Sequence, residues 1–350
     1  MKRQTIIALG ILGSLTIGVL PVRAETPPDP ISTAIRKSLP LLGKTGPIFF
    51  QKSGCISCHN ISLPSMAMVL ASERGFAVDE AARKENIKAA LASKTFFEPK
   101  DLMKLDHVPG ETMTTGYTLI ALAAEKYPGD ALTDAMALWS ASSQFGDGSW
   151  NLPSHRAPIE YSPFTGTALG VRALQLYGPP AKRKEFETRI AKARHWLEQT
   201  SARDNEGRTF RLLGLGWAGA ERTVLNKAVD DLIRSQRADG GWAQLPGLES
   251  DAYATGQALY ALRIGGNMSP THETYRKGVA NLLQTQLPDG TWLVHTRSYP
   301  VQPYFESGFP HGPDQWISAA ATSWATLSLT LALDGPGGTQ SLASSKSKRR

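Results

Sequence analysis

The two cysteines of the chain stand together in the segment Cys55-Ile56-Ser57-Cys58-His59. A Cys-x-x-Cys-His spacing is the attachment sequence of c-type haem, because two thiols add to the haem vinyl groups and the adjacent histidine lies beneath the iron. His59 is therefore predicted as the proximal iron ligand, with Cys55 and Cys58 as the thioether anchors of a covalent haem c. This chemistry predicts electron transfer with a redox partner, or another haem redox reaction.

Two other interpretations of the cysteine pair stay open. A Cys55–Cys58 disulfide would be a structural clip or a redox couple, with His59 lowering the pKa of one thiol. A zinc site would use both thiolates and two further ligands, although an adjacent cysteine and histidine rarely share one metal.

No sixth ligand of a haem iron is assigned from the sequence. Met66 and Met68 lie close to His59 along the chain, which makes wrapping over the opposite haem face difficult. The other candidates are Met113, His107, His155 and His311, and an iron with one open position is the alternative.

The N-terminus has the pattern of an export signal. Lys2 and Arg3 form a positive start, an apolar run follows over residues 5–20, and Val22-Arg23-Ala24 offers the residues that a signal peptidase reads. The run is shorter than the roughly 20 residues that span a bilayer. Residues 1–24 are therefore predicted to be a cleaved signal peptide, and the mature chain is expected in the periplasm or otherwise exported, where haem attachment also takes place.

The excess of positive charge lies at the two ends of the chain. The 38 Lys and Arg residues exceed the 31 Asp and Glu residues by seven, but residues 1–24 and 335–350 contain seven basic residues and no acid. The body is neutral, so nucleic acid is not expected as a partner. The Gly- and Ser-rich segment 335–350 is predicted to be a disordered basic tail, for which contact with an anionic membrane surface is one possible role.

A phrase of small and aliphatic residues recurs along the chain. Clear copies begin at Thr115-Gly116, Thr165-Gly166 and Thr255-Gly256, and looser copies bring the starts to about 65, 116, 166, 212, 256 and 322. Most steps are about 45–50 residues, and the last is longer. A fixed period of this size indicates repeated helical hairpins.

A second phrase precedes several of these copies. Gln144-x3-Gly148-x-Trp150, Gln236-x3-Gly240-x-Trp242 and Gln286-x3-Gly290-x-Trp292 share one spacing, and each follows a helical segment. Glycine allows the chain to turn at the helix end, glutamine can bond the freed backbone groups, and tryptophan can pack over the neighbouring helix. The three tryptophans are therefore predicted to be structural clamps.

These Gln-x3-Gly-x-Trp repeats are similar to the QW motifs of squalene–hopene and oxidosqualene cyclases. The protein prenyltransferase β-subunits belong to the same superfamily. The resemblance covers roughly residues 31–334 and implies an all-α fold, an α/α toroid of about six hairpins with an inner and an outer ring of helices. One toroid over residues 25–334 is expected, with a central cavity suited to an apolar, isoprenoid-like molecule.

The resemblance also exposes what the chain lacks. Squalene-type cyclases protonate their substrate with an aspartate of an Asp-x-Asp-Asp-Thr motif, and the matching segment here begins Asp251-Ala252-Tyr253. Tyr253 occupies the acid position, and a phenol is a far weaker acid than a carboxyl group. Asp314 is the other candidate acid at the start of an inner helix. Asp251 and Tyr253 are expected to be a helix N-cap and a cavity-wall aromatic, and the prenyltransferase zinc cysteine is absent. Trp316 and Trp324 are possible lining residues.

The Cys-x-x-Cys-His segment occupies the loop of the first hairpin, where other repeats carry Gly-x-Trp. The leading interpretation is an exported, haem-bearing toroid that acts in electron transfer or haem redox chemistry, with an isoprenoid-like ligand as one candidate substrate. The alternative is a non-haem protein that binds or transforms a prenyl or triterpenoid lipid without the usual acid. A third is an interaction scaffold with a disulfide.

Overall fold

The computed structural model describes residues 29–92, 98–152 and 156–333. Within these ranges the chain is helical, and its only β pairing is an isolated bridge between Arg156 and Glu160. The predicted signal peptide and basic tail lie outside the described residues. The helices are α1 (Pro30–Ser53), α2 (Leu63–Glu73), α3 (Glu80–Ala92), α4 (Pro99–Met103), α5 (Glu111–Ala124), α6 (Ala131–Ser142), α7 (Pro163–Tyr177), α8 (Arg183–Gln199), α9 (Asn205–Trp217), α10 (Arg222–Arg234), α11 (Ala252–Ile264), α12 (Glu273–Thr285) and α13 (Gln315–Ala332).

Six of these helices form a closed inner ring. Helices α2, α5, α7, α9, α11 and α13 each pack against the next, and α13 packs against α2. The six copies of the small-residue phrase lie on these six helices. Helices α1, α3, α6, α8, α10 and α12 form the outer ring, each preceding an inner helix. The fold is the predicted α/α toroid.

Small side chains allow the inner helices to approach closely. A Cβ atom at Gly256 of α11 would lie 2.6 Å from the backbone of Trp324 in α13. Some hydroxyl groups between the helices bond a neighbouring backbone; Ser328 of α13, for example, donates to the Gly256 carbonyl at 2.6 Å. The inner faces therefore bury small residues because larger ones would force the ring apart.

The Gln-x3-Gly-x-Trp loops tie neighbouring hairpins together. Gln236 Nε2 donates to the Gly240 carbonyl at 2.8 Å and to the Thr274 carbonyl of the next outer helix at 2.9 Å. Trp242 is fully buried, and its Nε1 donates to the Leu232 carbonyl at 2.9 Å. The other two copies make corresponding bonds through Gln144, Trp150, Gln286 and Trp292. In the Gln286 copy the outer helix is α1, so this loop joins the last hairpin to the first.

We expect Gly240→Ala to destabilise the toroid by about 2 kcal/mol or more. Gly240 has φ 83°, and an added Cβ would lie 2.6 Å from the Lys277 carbonyl oxygen. Urea unfolding at fixed pH measures the change. Gly247→Ala is the matched control, because Gly247 has open space around its Cβ direction. Equal unfolding midpoints for the two variants would contradict the clamp geometry.

No helix among the described residues combines the length and the apolar composition needed to cross a bilayer.

Candidate functional site

The Cys-x-x-Cys-His segment lies in the loop of the first hairpin, as predicted. Helix α1 ends where Gly54 adopts a left-handed conformation, with φ 65°. Residues Cys58–Ser62 then form a π-helical turn that runs directly into α2, and the Ser57 side chain caps this turn by accepting from the Asn60 N–H at 3.1 Å. This turn places His59 at the N-terminal end of the inner ring.

His59 is a buried imidazole with one nitrogen left for a ligand. Its ring lies between Phe49 and Trp316, at centroid distances of 5.7 and 5.5 Å. Nδ1 lies 2.5 Å from Asn60 Oδ1, which can only accept, so Nδ1 carries the proton. Among the described residues, Nε2 has no hydrogen-bond partner. Burial and the nearby charge of Arg156 lower the pKa of His59 well below its ordinary value, so the ring is neutral.

Asn60 fixes the position of His59 through two other elements. Its Nδ2 donates to Thr45 Oγ1 of α1 at 2.5 Å and to Ser307 Oγ at 3.4 Å. The Ser307 N–H and Oγ both bond Gln315 Oε1 at the start of α13, at 2.8 and 2.7 Å. A metal-ligating histidine is commonly oriented by such a partner on its other ring nitrogen. The Asn60 network therefore supplies the orientation that ligation through Nε2 requires.

His59 faces a cavity of about 270 Å³. The segment between α12 and α13 forms much of its wall, and Phe49, Phe305 and Trp316 provide apolar and aromatic surface. Arg156 carries the one formal charge among the described lining residues, since His59 is neutral. The cavity is thus a mainly apolar site with one cation, one imidazole nitrogen and a few polar groups, which is a common composition for a small-molecule site.

None of the described residues considered as a sixth ligand of a haem iron lines this cavity. Met66 and Met68 are buried in α2, and Met113 is buried in α5. His311 Nε2 lies 2.8 Å from Thr291 Oγ1, and His107 is exposed. His155 lies outside the described residues.

Both cysteines are free thiols in the structure. Burial raises the pKa of Cys58 to about 12 and also raises that of the half-buried Cys55. Neither is therefore an activated thiolate in the folded chain. The zinc alternative lacks further ligands, because no group of three or more His, Cys, Asp and Glu side chains suited to a metal occurs among the described residues.

The two aspartates considered as candidate acids, Asp251 and Asp314, have structural roles. Asp251 caps α11 by accepting from the Ala254 N–H at 2.8 Å, and burial raises its pKa to about 6. Asp314 accepts from the Thr296 N–H at 2.7 Å and bonds His295 Nδ1 at 2.7 Å, and it does not line the cavity. Asp251 thus has the N-cap role expected for it, whereas Asp314 holds a loop.

Tyr253 is hydrogen-bonded to a carboxyl group, that of Glu206, which was not predicted from the sequence. Its hydroxyl donates to Glu206 Oε2 at 3.0 Å, and Glu206 also accepts from Thr165 Oγ1 at 2.8 Å and Gln257 Nε2 at 3.0 Å. These donors lower the pKa of Glu206, but burial outweighs them and raises it to about 8. Glu206 is therefore a mostly neutral carboxylic acid at pH 7.

The interior around Glu206 is packed. Glu206 itself is 3% exposed, and Thr165, Gln257, Tyr253 and Tyr117 are each 2% exposed or less. Further along the ring, Trp324 packs against Tyr260 and Phe210. Trp324 is thus an interior core residue, whereas Trp316 lines the cavity at the end of the ring. The expected central cavity is filled by aromatic and polar side chains at this level.

The comparisons with known proteins support the squalene-cyclase-like character of the chain. Residues 196–343 match the family described as the squalene-hopene cyclase C-terminal domain. A probable squalene–hopene cyclase of Sinorhizobium fredii is 27% identical over 219 residues, which cover 53% of this chain and 32% of that protein. The chain thus spans about a third of this curated relative's length.

Solved structures with low identity share the fold. The type II terpene cyclase MstE from Scytonema, in complex with geranylgeranyl dihydroxybenzoate, has a TM-score of 0.52 at 15% identity, covering 87% of this chain and 97% of that one. A protein from Actinoplanes has a TM-score of 0.54 at 15% identity, covering 87% and 100%. A possible GH105 family member from Salmonella enterica also reaches 0.54, at 14% identity, covering 92% and 98%. The fold thus occurs with different chemistries, and only the site can discriminate between them.

Proposed function

We propose that this chain is a squalene-cyclase-like toroid that binds an apolar, isoprenoid-like ligand in the cavity beside His59. The observation that carries the proposal is the apolar cavity at the N-terminal end of the inner ring, with Phe49, Phe305 and Trp316 in its wall. The resemblance to squalene–hopene cyclases and the prenylated ligand of the MstE complex support this ligand class over haem alone.

The geometry favours binding over acid-initiated cyclisation. Tyr253 replaces the usual acid, and the neutral carboxyl group of Glu206 lies in a packed interior instead of facing the cavity. A substrate would reach Glu206 only if the buried side chains packed around it moved aside. The proposed role is therefore ligand binding at the end of the ring.

Titration of the haem-free protein with geranylgeraniol, followed by tryptophan fluorescence, tests this function. We expect saturable quenching because Trp316 lines the cavity. Trp316→Phe should remove most of the signal change, whereas Trp324→Phe, which alters the ring interior, should keep it. Absence of saturable binding by fluorescence and by co-sedimentation would contradict the proposal.

A second candidate function, covalent haem binding, rests on the geometry at His59. His59 lines the cavity and its Nε2 has no described partner, Asn60 orients the ring, and both motif cysteines are free thiols, although neither lines the cavity. Cys55 and Cys58 would hold the haem c and His59 would ligate its iron, which supplies one-electron redox chemistry when bound. This candidate also proposes a redox partner and export through residues 1–24.

A further inference from the structure

Arg156 places a positive charge at the wall of an otherwise uncharged cavity. Its side chain is 16% exposed and lines the cavity, while its partner Glu160 does not line it. The guanidinium lies over the Trp316 ring, with Cζ 5.1 Å from the centroid. The guanidinium thus packs on an aromatic wall residue of the cavity, and its counter-ion is not part of the cavity lining.

The hydrogen-bonding capacity of this guanidinium is incompletely used. Arg156 donates from one terminal nitrogen to Glu160 Oε1, but its buried Nε–H has no partner among the described residues. An unpaired buried donor on a charged group is costly, whereas an arginine fork can bind a carboxylate with two parallel bonds. The positive charge of Arg156 also acts on the Cys-x-x-Cys-His segment, because it contributes to the lowered pKa of His59.

We infer that the ligand of this cavity carries a carboxylate at the end of an apolar body, and that Arg156 binds this carboxylate. The inference rests on the proposed function and adds the polar group of the ligand to it. Two sources share this chemistry, namely an isoprenoid acid and the propionate groups of a haem. In an isoprenoid acid, the apolar body would contact the aromatic wall while the carboxylate would share the guanidinium with Glu160.

Farnesoic acid and farnesol are a matched pair of probes, because they differ in the carboxylate alone. In the haem-free protein at pH 7.5 we expect the acid to bind about tenfold more tightly than the alcohol, a modest gain for a charge-assisted bond. Arg156→Gln should remove this preference by weakening the binding of the acid more than that of farnesol, and Arg156→Lys should keep part of it. Glu160→Gln should increase the preference, because it releases the guanidinium.

Arg297→Gln is the control for loss of a nearby guanidinium, since Arg297 bonds Gln244 and lies over Tyr161 without lining the cavity. It should leave the acid preference intact.

A second arm identifies a haem source. If the haem-free protein shows no preference for the acid, the midpoint potential of the haem-loaded protein is measured instead. Arg156→Gln should lower this potential by removing a positive charge, and Glu160→Gln should raise it. Arg297→Gln should leave it nearly unchanged. The inference is overturned if the acid shows no Arg156-dependent preference and the potential does not respond to Arg156. Failure of both probes to bind, in a protein that also takes no haem, instead contradicts the proposed function.

Discussion

If the second candidate function holds, the whole chain produced together with c-type haem maturation proteins is expected to carry about one covalent haem, and Cys55→Ala/Cys58→Ala to carry none. The two thiols are the only cysteine sulfurs of the chain, so no other thioether can form. A pyridine haemochrome assay and intact mass measure the stoichiometry. His59→Ala should lose the native Soret spectrum even where thioether bonds form, because the proximal nitrogen is removed.

His311→Ala is the matched control for this series. His311 bonds Thr291 and does not line the cavity, so this variant should keep the haem and its spectrum. A colourless wild-type protein with a correctly removed signal peptide would contradict haem attachment. Thiol counting would then separate a disulfide from two free cysteines.

The burial of Cys58 adds a condition to haem attachment. Cys58 is 6% exposed, whereas Cys55 is more accessible. In the folded, haem-free protein, iodoacetamide should therefore alkylate Cys55 at least tenfold faster than Cys58, and unfolding in urea should make the rates similar. Peptide mass spectrometry measures both rates. Equal rates in the folded protein would mean that the first hairpin opens readily. Unequal rates would mean that haem attachment, to reach Cys58, has to precede closure of the toroid.

The ring and its loops were predictable because they repeat. Each inner helix carries the same pattern of small residues, and each Gln-x3-Gly-x-Trp loop must make the same turn and the same bonds. The loop of the first hairpin was predicted from its place in this series, although it carries cysteines instead of tryptophan. Repetition gives several independent observations of one local structure, which a single loop cannot provide.

The two features missed by sequence reasoning depend on how distant segments meet. Glu206 is in the first turn of α9, where an acid is usually solvated, and only closure of the ring buries it. A signal was present: Asp204 and Asp251 are both N-caps, so Glu206 occupies the same helical position as Tyr253. The second feature is the cavity wall formed by the segment between α12 and α13, which matches no other repeat. The signal for it was the longer interval between the last two copies of the small-residue phrase.

The largest effect of pH on stability is expected at Glu206, whose protonation couples folding to pH. Its pKa is about 8 in the folded chain and about 4.3 when unfolded. Between these values the folded state holds a proton that the unfolded state has lost, so stability falls as pH rises, by up to about 1.4 kcal/mol per unit. The contribution is fully present below about pH 4.3 and is lost as pH passes through about 8.

Glu206 dominates the window from pH 6.5 to 8. Asp251, whose pKa is about 6, has largely titrated by pH 6.5. His59 is neutral in the folded state but has an ordinary pKa near 6.5 when unfolded, so it adds a rise in stability of less than about 0.5 kcal/mol across the window, which the wild type and Glu206→Gln share. Urea unfolding of the wild type should show a loss of about 1–2 kcal/mol across this window. Glu206→Gln, which replaces the neutral acid with a neutral amide, should remain nearly flat. Glu85→Gln, at an exposed acid paired with Lys88, should follow the wild type.

Parallel curves for wild type and Glu206→Gln would show that Glu206 is already ionised in the folded toroid. A flat Glu206→Gln curve beside a falling wild-type curve would establish that the ring encloses the neutral carboxylic acid of Glu206, which accepts a hydrogen bond from Tyr253.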